Sequence, residues 1–508
     1  MGPKPSRIRI EHLWVLALLA SAFTLVSVSP VPPHDFWWHA RIGEQIVHLR
    51  AIPTADTFSF VAQGRPVFYQ SWLSEVALYG LLYAGGLPLA IFVQALLIAF
   101  TYGWLYLLCR EGSGGNHRLA AFCTVWVLFA ASNNWAIRPQ SFSFLPFLLF
   151  LWVLRGYVRG RRVPVWLLPV VMALWVNLHG AFILGAIMAL LVLAGSLLDR
   201  HLPLRRDSGP PALKPLAVAA LATLPAMLLN PRGLGVIGYV INLLTNPPSQ
   251  QLIMEWRQPD IHGFQGRLFY ALLLVCVLAF ATSRRRLRWA DLLLFAAFAW
   301  MGLTSIRYVI WFGLVAAPLL AESLAAQNWP ISERWARFKQ SRLGQILFVG
   351  QEGGYPGFTV LIITLIVLEV LIALPWNKER LPLPPAVAGL TTPDTPVAAT
   401  QFLLEHDLPG PLFHDMGYGS YLIWAAWPRV RVFSDPRVEL YPLDLWLDYA
   451  TISSARYDYA ALLQRYGIQT LMLDQVNQAA LIEAVSAAGS GWQPFYDDGR
   501  TAIFRRAP

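Results

Sequence analysis

Asp35 is the first residue whose position suggests chemistry. It follows an apolar run over residues 13–31 and opens the segment His34-Asp35-Phe36-Trp37-Trp38-His39-Ala40-Arg41. A carboxylate at this depth is costly without a partner, a metal or a substrate cation. His39 stands four residues on, so on a helix the two share a face. They could bind a metal or work as an acid–base pair. The Trp pair between them reads as an anchor at the membrane interface. Glu75, in Gln70-Ser71-Trp72-Leu73-Ser74-Glu75, offers a second carboxylate. Its plainer reading is a solvated acid favoured by a helix N-terminus.

A second group of residues suits phosphate. Arg138 precedes Pro139, Arg232 lies in Asn230-Pro231-Arg232-Gly233, and Arg307 falls between two short apolar runs. Guanidinium groups bind phosphate through paired hydrogen bonds. Snorkelling from the bilayer edge is the alternative use of such side chains. His179 ends Trp175-Val176-Asn177-Leu178-His179-Gly180, where Gly180 would permit a tight turn. It is either a ligand-facing imidazole or a histidine bonded to backbone carbonyls. Asn230 and Arg257 complete the candidate set.

The elements that position these residues follow from composition. The chain has 508 residues, 56% hydrophobic and only 13% charged, with 21 Trp and a mean hydropathy of +0.49. Soluble domains carry roughly 25% charged residues. An ordinary soluble enzyme, a disordered chain and a collagen-like chain are excluded. The net charge of +10 does not point to nucleic acid, because the basic residues sit in clusters between apolar runs, as the positive-inside rule requires. Those clusters are Lys4/Arg7/Arg9, Arg155/Arg159/Arg161/Arg162, Arg200/Arg205/Arg206/Lys214, Arg284/Arg285/Arg286/Arg288 and Arg334/Arg337/Lys339/Arg342.

Placing all of them inside gives eleven spans, near residues 13–31, 87–109, 119–133, 139–154, 164–179, 180–198, 212–230, 267–283, 290–304, 306–322 and 356–376. The N-terminus is then inside and the C-terminus outside, and 71–86 is a helix on the membrane surface. Several runs are shorter than the ~30 Å apolar core requires, so their helices must extend into the neighbouring loops, or the bilayer must thin there. On this threading the candidate residues collect on the outer face. Cys109, Cys123 and Cys276 lie in or beside apolar runs and read as packing residues, with no disulfide or metal spacing.

The expected organisation is a membrane domain over 1–380, with a large first outer loop over 32–86, and a C-terminal α/β domain over 381–508. In the latter, 411–414, 430–434 and 468–473 read as strands, 418–426, 444–453, 457–466 and 476–487 as helices, and 492–497 with 501–505 as a closing strand pair. Gly417-Tyr418-Gly419 lacks the further glycine and downstream acid of a dinucleotide site. No Walker, Gly-x-Ser-x-Gly or His-Glu-x-x-His motif appears.

The sequence resembles the GT-C superfamily of integral membrane glycosyltransferases. It is closest to a bacterial group of GT-C-like membrane proteins with blocks similar to Asp35-Phe36-Trp37-Trp38-His39 with Gly43-Glu44, Trp72 with Glu75, Arg138-Pro139-Gln140, Trp175 through Gly180, Asn230-Pro231-Arg232-Gly233, Glu255-Trp256-Arg257 with Pro259-Asp260, and Gly419-Ser420-Tyr421-Leu422 before Asp435 and Arg437. The resemblance covers most of the chain. It implies a polytopic helical fold and transfer of a sugar from a polyprenyl-phosphate-linked donor to an acceptor outside the cytoplasm. It also implies that Asp35 is the catalytic or metal-associated acid. Many members carry two adjacent acids there; here Asp35 is followed by Phe36. A divalent metal such as Mg2+ or Mn2+ is compatible with this role. Expected partners are the lipid-linked donor, the bilayer, and a glycan, lipid or protein acceptor; nucleic acid is not among them. The expected location is a bacterial inner membrane. The alternatives are a lipid-linked glycan flippase and a cell-envelope scaffold.

Overall fold

The computed structural model describes residues 10–204, 212–246, 254–327, 337, 340–341 and 356–507. Lys4, Arg7, Arg9, Arg205, Arg206, Arg334, Lys339 and Arg342 fall outside that set. All eleven apolar runs are helical. They are α1 (Ile10–Val28), the second half of α3 (Trp72–Gly112), and His117–Ala130, Phe144–Val158, Leu167–Trp175, Phe182–His201, Leu213–Ala226, Phe264–Thr282, Trp289–Thr304, Val309–Ala325 and Pro356–Ile372. Among the described residues five helices are long and apolar enough to cross a membrane: Trp72–Gly112, Pro139–Val158, Phe182–His201, Phe264–Thr282 and Ile306–Ala325. Apart from α1, with 19 residues, the others are shorter. Leu167–Trp175 has nine residues and reaches about 14 Å, half the apolar core.

α3 shows how a local breaker shapes the site. At 41 residues a straight helix would run about 60 Å, twice the apolar core of a bilayer. Gly85 and Gly86 interrupt it, Gly86 at φ 65°, and Pro88 follows. Only glycine adopts that backbone readily. The helix expected over 71–86 is therefore the first half of α3, ahead of the kink, and the apolar run 87–109 falls in the second half.

α2 (Asp35–Leu49) lies in the first loop and presents Phe36, Trp37, Trp38, Ile42 and Ile46 to the interior. It crosses the start of α3 at Gly43, where a Cβ would lie 2.0 Å from the Glu75 carbonyl oxygen. Its N-terminus is capped from far away in the chain. Ser420 Oγ accepts from the Trp38 N–H at 3.0 Å and donates to the His34 carbonyl.

The C-terminal segment carries a four-stranded sheet. β1 (Leu412–His414) runs parallel to β2 (Thr470–Asp474); β4 (Thr501–Arg506) pairs antiparallel with β2, and β3 (Trp492–Asp497) with β4. The helix Met416–Ala426 follows β1 and packs on α2. Residues 430–434, expected as a strand, are not one. Val432 forms only a bridge to Ser59 of the first loop and exchanges hydrogen bonds with Phe58 and Phe60. Its apolar residues are buried between that loop and the sheet: Phe433 meets both Phe60 and Phe413, and Val432 lies with Phe58, Leu412 and Met472.

Two bodies of core matter here. One joins the helices around Phe144, Phe147, Trp175 and Trp311, and it includes all three cysteines. The other mixes Trp38, Ile42, Phe58 and Tyr69 of the first loop with Leu412, Tyr418, Leu422, Val432 and Met472. The first loop and the C-terminal segment thus bury each other's apolar residues, and that shared packing fixes α2.

Candidate functional site

Asp35 begins α2, where the helix dipole favours an anion. Its Oδ2 lies 3.5 Å from Arg138 Nη1. Arg138 sits in extended backbone ahead of the turn Pro139–Ser143. The same Nη1 donates to both oxygens of Glu255, at 2.7 and 2.9 Å. Arg307 Nε stands 3.7 Å from Glu255 Oε2, and its guanidinium covers the Trp256 ring at 5.2 Å. Two backbone contacts hold these segments together: Ser305 Oγ donates to the Glu255 carbonyl and the Ile306 N–H to the Arg257 carbonyl.

This cluster is open on its acidic side and closed on its basic side. Asp35 and Glu255 keep about a third of their side-chain surface, 33% and 32%, whereas Arg138 keeps 7%. Burial favours a neutral Glu255, but Arg138 and then Arg307 hold its carboxyl below the ordinary value. Arg138 Nε and Nη2 are buried with no hydrogen-bond partner among the described residues. Two donors left so in a native interior are unusual, and an oxyanion is the kind of ligand that would satisfy them.

His39 does not pair with Asp35. Its Nδ1 shares a 2.9 Å hydrogen bond with Glu75 Oε1. Glu75 is 1% exposed and is not a solvated acid. Burial pushes it up to about 8, against the pull of Arg437. Burial, then His179, Arg138 and Arg437, hold His39 well below the ordinary imidazole value. His179 is lowered in the same way, by burial and then by Arg307 and Arg138. Its Nδ1 faces Ser143 Oγ at 3.2 Å and accepts from the Ala181 N–H. It therefore belongs to the same polar centre, and among the described residues its ring is not bonded to a backbone carbonyl.

Behind this centre a second charged group locks the first loop to the C-terminal segment. Arg437 donates to Asp435 through Nε and Nη2, at 2.8 and 2.7 Å, and its Nη1 forms an ion pair with Asp56 Oδ1 at 2.7 Å. Tyr69 accepts from the same Nη1 at 3.0 Å, and Trp38 and Phe58 lie against the guanidinium.

The structure thus brings Asp35, His39, Glu75, Arg138, His179 and Arg307 together. It leaves three candidates out. Asn230 closes its own turn, accepting from the Arg232 N–H at 2.9 Å. Arg232 lies over Phe68, 5.2 Å from the ring centre. Arg257 is exposed. Glu255, absent from the candidates, sits at the centre; its signal was the acid-Trp-Arg run, which alone looks like any polar loop. Among the described residues no group of three or more His, Cys, Asp or Glu side chains is placed to hold a metal ion.

No protein-family model matches the chain, and no curated protein matches it in sequence. Solved structures share its fold. The Archaeoglobus fulgidus oligosaccharyltransferase, tethered by a disulfide to an acceptor peptide containing the NVT sequon, matches with a TM-score of 0.53 at 15% identity, over 97% of this chain and 74% of that one. The apo form of the same enzyme gives 0.52 at 14%, with the same coverage. ArnT from Cupriavidus metallidurans, bound to undecaprenyl phosphate, gives 0.49 at 14%, over 96% and 97%. The chain is a membrane protein with the GT-C fold, its helices followed by a small C-terminal α/β unit.

Proposed function

We propose that this protein is a glycosyltransferase that moves a sugar from a polyprenyl-phosphate-linked donor to an acceptor on the outer face of a bacterial inner membrane. We place it in the bacterial GT-C-like group that its sequence blocks resemble. The observation that carries the reading is the open carboxylate of Asp35, set 3.5 Å from a buried arginine with two unfilled donors.

The chemistry needs two things. A base must take the proton of the acceptor hydroxyl as its oxygen attacks the anomeric carbon, and Asp35 is the accessible carboxylate for that. Positive charge must meet the phosphate as the bond from the anomeric carbon to the phosphate oxygen breaks. Arg138, with Arg307 beside it, supplies that charge in a partly water-excluded place. Attack from the face opposite the departing phosphate inverts the anomeric carbon. A divalent ion, if bound, would add charge at the phosphate, and Asp35 and Glu255 would be the carboxylates nearest to Arg138 available to it.

The test is native mass spectrometry of the detergent-purified protein followed by a transfer assay. A co-purifying polyprenyl phosphate, with or without one sugar, is expected. Asp35→Asn is expected to lower turnover by at least about 10²-fold while leaving the thermal unfolding curve in place. An Asp35→Asn protein with wild-type turnover would remove Asp35 from this role. Bulk phospholipid alone would favour a scaffold, and a lipid-linked oligosaccharide a flippase.

A further inference from the structure

His39 and Asp35 stand one helical turn apart on α2, and Arg138 lies near both. The two ring nitrogens of His39 are not equivalent. Nδ1 meets Glu75 Oε1. Nε2 has no partner among the described residues and is not among the fully buried unpartnered atoms, and the side chain keeps 11% of its surface. Trp38 lies against the ring, 3.5 Å between centroids, and fixes its plane.

Glu75 is held just as firmly. Gly43 packs on its backbone, and its Oε2 is buried with no partner. An anionic carboxylate with one oxygen unsolvated and no cation in contact is costly, so the neutral acid is the stable form. The groups facing the pair are Arg437 from the C-terminal segment, Arg138 and His179 from the helical part, Tyr69 from the first loop and Tyr239 from the helix Gly235–Thr245. The nearby cations disfavour a further positive charge on His39. With both partners neutral, Glu75 must donate its proton to Nδ1. The ring then carries its own proton on Nε2, the nitrogen not engaged by Glu75.

We propose that Glu75 and His39 form a neutral proton-supplying dyad whose His39 Nε2–H serves the departing phosphate of the lipid-linked donor. The proposal rests on the transferase reading. As the bond from the anomeric carbon to the phosphate oxygen breaks, its electron pair stays on that oxygen. The Nε2 proton passes to the same oxygen, and the Glu75 proton passes to Nδ1. This leaves a Glu75 carboxylate and a neutral ring protonated at Nδ1. Protonation of Nε2 by solvent returns the Nδ1 proton to Glu75, and Asp35 releases the acceptor's proton to solvent. His39 is then the catalytic residue of the pair, and Glu75 a positioning residue that also stores the proton.

The test uses the full chain in nanodiscs with ¹⁵N-labelled histidine, the His39 ring signals being assigned by their loss in His39→Asn. Near pH 7 the expected form is the neutral Nε2–H tautomer. It should be retained in Glu75→Gln, whose amide still donates to Nδ1, and lost in Glu75→Ala. An imidazolium, or an Nδ1–H ring, would overturn the dyad. The second arm measures release of glucose from undecaprenyl-phospho-glucose. Glu75→Gln should lower kcat at least about tenfold with KM unchanged. Wild-type turnover should fall as pH rises through about 8, where the Glu75 proton is lost; Glu75→Gln should lack that fall. Unchanged kcat and an unchanged pH profile in Glu75→Gln would also overturn the dyad. A wild type that releases no glucose counts against the transferase reading alone, and the ring tautomer then decides the dyad.

Discussion

One helical segment, Pro139–Val158, has a charge cluster at each end, and the two are built differently. At its start Arg138 meets Asp35 and Glu255. At its end Arg155 and Arg159 meet Asp291 and Glu322, with contacts of 2.5 to 3.3 Å. The second cluster is closed. Both of its acids keep only 6% of their side-chain surface, and each carboxylate oxygen has a cation, Glu322 Oε1 through Arg285 at 3.6 Å. The first cluster leaves its acids a third exposed and two arginine donors unfilled. Similar residue types make a brace in one place and a candidate site in the other. What separates them is access and unfilled hydrogen-bond capacity, not charge.

That contrast can be broken experimentally. The largest effect on stability is expected at the closed end. Arg155→Met leaves Asp291 and Glu322 short of a partner and should destabilise the protein by about 3–5 kcal/mol, read as a lower unfolding midpoint in detergent. If Arg155→Met unfolds like the wild type, the brace does not hold the helices. At the open end, Arg138→Lys keeps the charge but not the fork geometry. Turnover should drop by about 10²-fold, with a much smaller change in unfolding midpoint than Arg155→Met. Equal loss of stability in both variants would erase the distinction. The smallest effect is expected from Arg257→Ala. Its side chain is exposed, so turnover should stay near the wild-type value; a large loss would return it to the site.

Much of the fold was legible, because helices and strands leave local marks. Each of the eleven apolar runs holds a helix, the helix expected over 71–86 lies ahead of the Gly85–Gly86 break, and β1 to β4 fall within or beside expected strands, whereas α2 is amphipathic and no apolar run marks it. The miss at 430–434 has a clear cause. An apolar β-like segment announces burial but not its partner, and here the partner is a loop some 370 positions earlier. The basic cluster at 155–162 was read for topology alone; the acids that engage Arg155 and Arg159 come from apolar helices more than a hundred residues away.

The site divides the same way. Residue type and depth marked Asp35, His39, Glu75, Arg138, His179 and Arg307, because ionisable groups beside apolar runs are rare. The pairing was decided by tertiary structure. α2 and α3 cross at Gly43, which sets Glu75 against His39 rather than Asp35. Ser420 caps α2, and Glu255 is delivered to Arg138 from 117 residues away. The sequence by itself determined a polytopic helical chain, its local elements and the ionisable residues at its apolar boundaries. Only the tertiary structure decided which of those groups meet, which are sealed and which stay open, since burial and contact between distant segments leave no mark in local sequence.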